Sequence, residues 1–351
     1  MKKNILFYYK MFFAGGTEHS ILKLIEQIYK NYDIIVAYDE EESTQDVLKE
    51  IAQYAKVINL NDINTVEVDT CIWCSHSRQG CFTDFAQKVK AKHYYFWCHL
   101  LMFETFQNLE FYEDFMENIE KFICVSEVVK KDIITKYPKL EEKCEVIENY
   151  LDVNKIIEKS QEQLDLEVDK QKLNIISVSR IAKDKGFHRM KWLCDILNEN
   201  NIPYDWYVLG TAYGQEVLDE IQGWFADNKN VHFLGYQENV YKYIKQMDYL
   251  ALLTDRESWG LVISEALILG KPCIVTNFDG VEKQIIDKQN GIILDMNNTE
   301  NSYEKRINDI VEMKDVLKKN VEQKDYNRSH ILKRWSEILE TKSKGEYSTE
   351  R

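Results

Sequence analysis

Short runs rich in β-branched and aromatic residues alternate with longer amphipathic stretches along most of this chain. In the first half the runs are NILFYY, DIIVAY, KVINL, TCIWCS, HYYFWC and FICVS, each followed by a helix-like segment. That rhythm predicts a parallel sheet with helices on both faces. After Asp152 it stops in NKIIEKSQEQLDLEVDKQK, a polar stretch without an apolar strand, and then restarts with LNIISVS, DWYVLG, VHFLG, YLALLT, KPCIVT and GIIL. Two doubly wound α/β domains in tandem are predicted, over residues 1–160 and 170–324, with a cleft between the carboxyl ends of their strands, where open α/β sheets bind ligands. YNRSHILKRWSEILE reads as a terminal amphipathic helix at 325–341, able to pack back on the first domain, and 342–351 as a polar tail.

Composition narrows the functional classes. A length of 351 residues suits two domains, and 44% hydrophobic with 30% charged residues fits a soluble globular chain. No apolar run approaches the roughly 18 residues of a membrane span, and Lys10 interrupts the first apolar segment, which therefore reads as a strand and not as a signal peptide. A cytoplasmic protein is expected. The formal charge of −14 argues against broad nucleic-acid binding. Two local basic clusters, Lys88, Lys90 and Lys92, and Lys130, Lys131, Lys136, Lys139 and Lys143, read either as solvated helix faces balanced by glutamates or as contacts for the anionic inner face of the plasma membrane. Cys71, Cys74, Cys81 and Cys98 include one C-x-x-C pair near His76, but without a second ligand pair they read as buried thiols and not as a metal site.

Several segments carry candidate chemistry. Gly15 and Gly16 precede a helix predicted from Thr17, where bare backbone admits a phosphate or marks an ordinary turn. Dinucleotide and P-loop fingerprints are missing: no G-x-G-x-x-G follows a strand, and Gly270-Lys271 leads into Pro272. Arg180 and Lys185 leave a strand five residues apart, with Gly186 opening the next helix; they suit a diphosphate or form a solvated loop. In LLTDRESWGLVISEALILGKPCIVT, Glu257 and Glu265 would lie about 80° apart on one helix. A helix starting near Trp259 would instead leave Glu257 in the loop and offer the N–H groups of Trp259, Gly260 and Leu261 to an anion. The alternative makes Glu257 a cap and Glu265 a surface carboxylate, although LVISEALIL gives Glu265 apolar neighbours.

Taken in order, GGTE at Gly15, WCH ending at His99, FICVSEVVKKDI, VIENYLD, SRIAKDKG, VHFLGY and the Glu257 to Glu265 segment closing in GKP resemble retaining glycosyltransferases of family 4 over nearly the whole chain. That resemblance implies the GT-B fold, two Rossmann-like domains facing across a cleft. It implies transfer of a sugar from a nucleotide-sugar donor to a glycan or lipid-linked acceptor, in bacterial surface polysaccharide or glycoconjugate synthesis, with no metal or other cofactor. It gives the diphosphate to Arg180 and Lys185, the ribose to Glu265, the donor sugar to Glu257, the phosphate region to Gly15-Gly16, and the border of the base to Gly235 and Tyr236. His99 matches a histidine near the transferred sugar, with His76 as the fallback. The chain departs from the family pattern at Glu148 and Tyr150, where Pro and Gly are usual, and at Trp259, where Phe is usual.

Overall fold

The computed structural model describes residues 2–10, 12, 15–39, 45–74, 82–101, 116–212, 214–296, 300–322 and 329–340. The first part of the chain runs β1 (Asn4–Tyr8), α1 (Gly16–Ile28), β2 (Asp33–Tyr38), α2 (Gln45–Ile51), β3 (Lys56–Asn59), β4 (Val66–Trp73), α3 (Phe82–Lys88), β5 (Val89–Cys98), β6 (Lys121–Cys124), α4 (Glu127–Lys136) and β7 (Cys144–Val146). It continues through α5 (Val153–Lys159), β8 (Leu173–Val178), α6 (Phe187–Glu199), β9 (Tyr204–Leu209), α7 (Gln215–Gly223), β10 (Val231–Gly235), α8 (Tyr241–Ile244) and β11 (Tyr249–Leu252). Then come α9 (Leu261–Ile268), β12 (Cys273–Thr276), β13 (Gly291–Leu294), α10 (Glu300–Glu312), α11 (Lys314–Glu322) and α12 (Ser329–Leu339).

These elements form two compact units, Met1–Leu151 with Arg328–Arg351, and Asp152–Asn327. The first holds a seven-stranded sheet in the order β3-β2-β1-β4-β5-β6-β7 and the second a six-stranded sheet in the order β10-β9-β8-β11-β12-β13. Every pairing is parallel. Parallel strands buried on both faces need continuous apolar runs, and ILFY in β1 and YLAL in β11 supply them. Each unit has its own apolar core.

In the first unit α12 belongs to that core. Trp335 is fully buried and meets Trp97 edge-on, with ring centres 4.6 Å apart. Polar contacts fix its middle and its carboxyl end: Arg334 donates to the Val146 carbonyl and to Glu145, Lys3 Nζ to the Leu339 carbonyl and Tyr32 Oη to Glu340. In the second unit the polar stretch without an apolar strand contains α5, capped by Asp152, whose Oδ1 accepts from the Lys155 amide at 3.0 Å. The units therefore divide at Leu151 and Asp152. Only Ile156 of α5 is buried, too little for a helical period to show in the sequence. β7 also escaped the pattern, because three residues cannot display an alternation and only pairing with β6 holds them.

Candidate functional site

In the second sheet the strand order reverses at β8 and β11, and this switch point organises the candidate site. The loop leaving β8 carries Arg180 and Lys185; the loop leaving β11 carries Glu257. Lys185 Nζ donates to Glu257 Oε1 at 2.6 Å, with side chains only 12% and 21% exposed. Arg180 stays exposed, 3.9 Å from Asp184. The backbone forces this approach. Gly186 has φ +72°, and a Cβ there would stand 1.8 Å from the Leu253 carbonyl oxygen, so only glycine lets the two loops touch. The Asp184 carbonyl accepts from both the Asp255 amide and Thr254 Oγ1.

Arg189, which the sequence reading missed, braces the same point from α6. It is buried, pairs with Asp255 at 2.6 Å and donates to the Leu253 and Met296 carbonyls. The available signal was an arginine flanked by Phe187, Met190 and Leu193 on an otherwise apolar helix face.

The helix predicted from Trp259 begins two residues later. Gly260, left-handed at φ 73° and ψ 63°, is its N-cap, so the free first-turn amides start at Leu261, not at Trp259. A left-handed residue cannot continue a right-handed helix, and this moves the start. Trp259 is held outside by Gln284, whose Nε2 donates to the Trp259 carbonyl, while Trp259 Nε1 donates to Ser264 Oγ and Ser264 Oγ to Gln284 Oε1. Glu265 is buried on α9, and its Oε1 accepts from Tyr241 Oη at 3.0 Å. Tyr241, also missed, supplies the partner that a carboxylate among apolar neighbours requires.

Gly235 ends β10 and Tyr236 follows it. The Gly210 amide donates to the Gly235 carbonyl and the Ile181 amide to Thr211, so the loops after β8, β9 and β10 form one hydrogen-bonded rim. Tyr236 is 52% exposed on it. Lys271, in the GKP segment, is a buried peg: its Nζ donates to the Met247 carbonyl at 2.8 Å, and burial lowers its pKa to about 8.

In the first unit Gly15 caps α1 in extended conformation and Gly16 opens the helix. The buried carboxylate of Glu18 lies against the turn, where a Cβ on Gly15 would meet Glu18 Oε2 at 2.7 Å. His99 follows β5, buried, its ring centre 4.3 Å from that of Trp97. His76 and Cys81 lie outside the described residues. The seven described cysteines are free and buried, and burial raises the thiols of Cys71 and Cys74. Among the described residues no group of three or more His, Cys, Asp or Glu could hold a metal ion, and no helix is long and apolar enough to cross a membrane. Lys88 donates to the Leu60 carbonyl, Lys90 and Lys92 pair with Glu67 and Asp69, and Lys143 donates to three carbonyls.

With this geometry in place, the comparisons with known proteins can be set beside it. Residues 158–330 match the family model of the glycosyl transferases group 1. The Bacillus anthracis N-acetyl-alpha-D-glucosaminyl L-malate synthase is 36% identical over 77 residues, 20% of this chain and 20% of that protein. The Rhizobium meliloti lipopolysaccharide core biosynthesis glycosyltransferase LpsE is 24% identical over 155 residues, 44% of each. The matched stretches thus span less than half the length of these curated relatives. The Anabaena HepE protein, solved in complex with UDP and glucose, superposes with a TM-score of 0.75 at 17% identity, over 96% of this chain and 99% of that one. The chain has the GT-B fold, and its second unit is similar to the group 1 glycosyl transferases along nearly all its length.

Proposed function

We propose that this protein is a retaining glycosyltransferase of the family 4 kind, moving a sugar from a nucleotide-sugar donor to a hydroxyl of a glycan or lipid-linked acceptor in bacterial surface polysaccharide or glycoconjugate synthesis. The observation that carries the reading is the Lys185–Glu257 pair at the β8/β11 switch point, inside the segment that matches the group 1 model. In the reaction the bond between the anomeric carbon and the diphosphate oxygen breaks. Lys185 and Arg180 neutralise the charge developing on the leaving diphosphate, with the first-turn amides of α9 adding partial positive charge. These cations take the role a divalent metal would otherwise fill, so transfer is metal-independent. Glu257, which orients Lys185, accepts hydrogen bonds from the donor sugar, and Glu265 from the ribose. The acceptor attacks from the face that the diphosphate leaves, and its proton passes to the departing oxygen, which preserves the anomeric configuration. Peripheral contact with an anionic membrane would serve a lipid-linked acceptor.

The relation to LpsE supports the polysaccharide setting, and HepE, solved with UDP and glucose, supports a nucleotide-sugar donor. The test is a panel of nucleotide sugars, first for thermal stabilisation and then with glycan acceptors for release of free nucleotide, with and without EDTA. Transfer that survives EDTA and gives a product of unchanged anomeric configuration is expected. Rescue by magnesium or manganese of an EDTA-dead enzyme would overturn metal independence, and an isomerised nucleotide sugar without transfer would overturn the transferase reading.

A further inference from the structure

We infer that the buried Gln284 is a positioning residue, fixing the turn 257–261 in the shape that receives the donor diphosphate and sugar. This role rests on the donor reading of Glu257 and of the first-turn amides of α9. The turn joins β11 to α9 and is held at both ends. Upstream, Thr254 Oγ1 lies within hydrogen-bonding reach of the Asp184 and Arg256 carbonyls, and Thr276 Oγ1 donates to the Thr254 carbonyl. Downstream, the holding group is Gln284, supplied by the 3-10 turn Val281–Lys283 that follows β12.

Three hydrogen bonds close a ring around Trp259. Gln284 Nε2 donates to the Trp259 carbonyl, Ser264 Oγ donates to Gln284 Oε1 at 2.6 Å, and Trp259 Nε1 donates to Ser264 Oγ at 3.2 Å. Both the backbone and the side chain of Trp259 are thereby held. Gln284 and Ser264 are buried. Gln284 is itself braced: its carbonyl accepts from Asn290 Nδ2 at 2.8 Å, and Asn290 Oδ1 accepts from the Ile286 amide at 2.7 Å.

The directions of these bonds explain why the residue is a glutamine. A carbonyl only accepts, so the amide nitrogen faces Trp259 and leaves the amide oxygen for the Ser264 hydroxyl. That hydroxyl has one proton to give, so it accepts from the indole. A planar group with one donor and one acceptor meets both demands, and a carboxylate would set negative charge against the Trp259 carbonyl.

The held residue stands where position matters most. Glu257 lies two residues before Trp259, and the left-handed Gly260 that caps α9 directly follows it. Glycine imposes little conformation of its own, so the hold on Trp259 sets where the Leu261 amide and the Glu257 carboxylate stand relative to Lys185. An apolar side chain at 284 would fill the same space while tolerating several placements of the turn, whereas a satisfied polar ring specifies one. A shift of about 1 Å in such a turn is enough to weaken contacts to a bound donor by an order of magnitude or more.

The test is calorimetric titration of the full chain, as parent, Gln284→Met and Gln284→Glu, between about pH 8 and pH 5, with melting temperatures confirming that the variants fold. The probes are UDP-glucose, UDP-N-acetylglucosamine, GDP-mannose, ADP-glucose and dTDP-rhamnose, whose esterified diphosphates keep their charge across this range. Gln284→Met, neutral and of similar size, should bind the parent's preferred probe about tenfold more weakly at every pH. Gln284→Glu should be at least as weak at pH 8 and recover towards the parent as pH falls, because a protonated carboxyl donates to the Trp259 carbonyl as the amide does, and burial raises the pH at which it takes up that proton. Parental affinity in Gln284→Met would overturn the role and leave only a charge effect in Gln284→Glu, and a ratio of Gln284→Glu to parent that does not change with pH would overturn it as well. Both of these results leave the donor reading standing. A parent that binds none of the probes would overturn that reading and this role together.

Discussion

Lys185 Nζ lies 2.6 Å from Glu257 Oε1 and joins two loops that are 72 residues apart in sequence. The contact neutralises two charges that the switch point would otherwise hold half-buried and uncompensated, and it ties the candidate phosphate cation to the candidate sugar carboxylate. Neither residue can be changed without altering the other's electrostatics.

Lys185→Ala and Arg180→Ala should therefore separate activity from stability. Both should lower turnover by about 100-fold if the two cations stabilise the leaving diphosphate. Lys185→Ala should in addition cost roughly 1–3 kcal/mol of folding stability, because Glu257 is left unpaired. Arg180, exposed on its loop, should cost about 0.5 kcal/mol or less. Urea unfolding beside a transfer assay checks both; near-parental turnover in folded variants would remove the assignment.

Gly186→Ala should be among the most damaging single-methyl changes in the second unit. It combines a left-handed backbone with a Cβ 1.8 Å from a carbonyl oxygen, together about 3 kcal/mol or more. Gly214→Ala has positive φ but open space around it, and should cost roughly 1–2 kcal/mol. A smaller loss at Gly186 than at Gly214, measured by urea unfolding, would contradict the close approach.

Tyr241→Phe removes a hydrogen bond from the buried Glu265 carboxylate. We expect a stability loss of about 1–2 kcal/mol. If Glu265 holds the ribose, the loosened carboxylate should also weaken binding of the stabilising nucleotide by about tenfold, while turnover at saturation changes little. Calorimetric titration of parent and variant decides it, and unchanged affinity would detach Glu265 from the nucleotide.

Arg334→Ala should destabilise the first unit in a pH-dependent way. Burial alone would raise the Glu145 carboxyl, but hydrogen bonds from Lys121 and Arg334 outweigh it and hold the carboxyl below its ordinary value of 4.5. A carboxyl lowered in the folded state contributes stability that is complete above that ordinary value and is lost as pH falls through the lowered one. The gap between parent and Arg334→Ala melting temperatures should be widest near neutrality and shrink below about pH 4.5. A gap independent of pH would assign the effect to the Val146 carbonyl contact alone.

Much of this architecture was legible in the chain because periodicity is a local property. Of the thirteen strands among the described residues, twelve announce themselves as apolar runs, as expected of parallel strands covered by helices. Gly186, Arg180, Lys185, Glu257 and Glu265 were legible as residue types out of place. Where α9 begins was not, because a left-handed Gly260 is set by the space between Leu252 and Ile263, not by composition.

The sequence by itself determined two doubly wound sheets, their strand order of appearance and the residues standing at their carboxyl ends. Tertiary structure alone decided the partners: Glu257 for Lys185, Tyr241 for Glu265, Asp255 for Arg189, and Trp335 for Trp97 across 238 positions. Hydrophobic pattern specifies which face of an element is buried. Which polar groups must then satisfy one another depends on where those faces meet, and on the cost of leaving any of them without a partner.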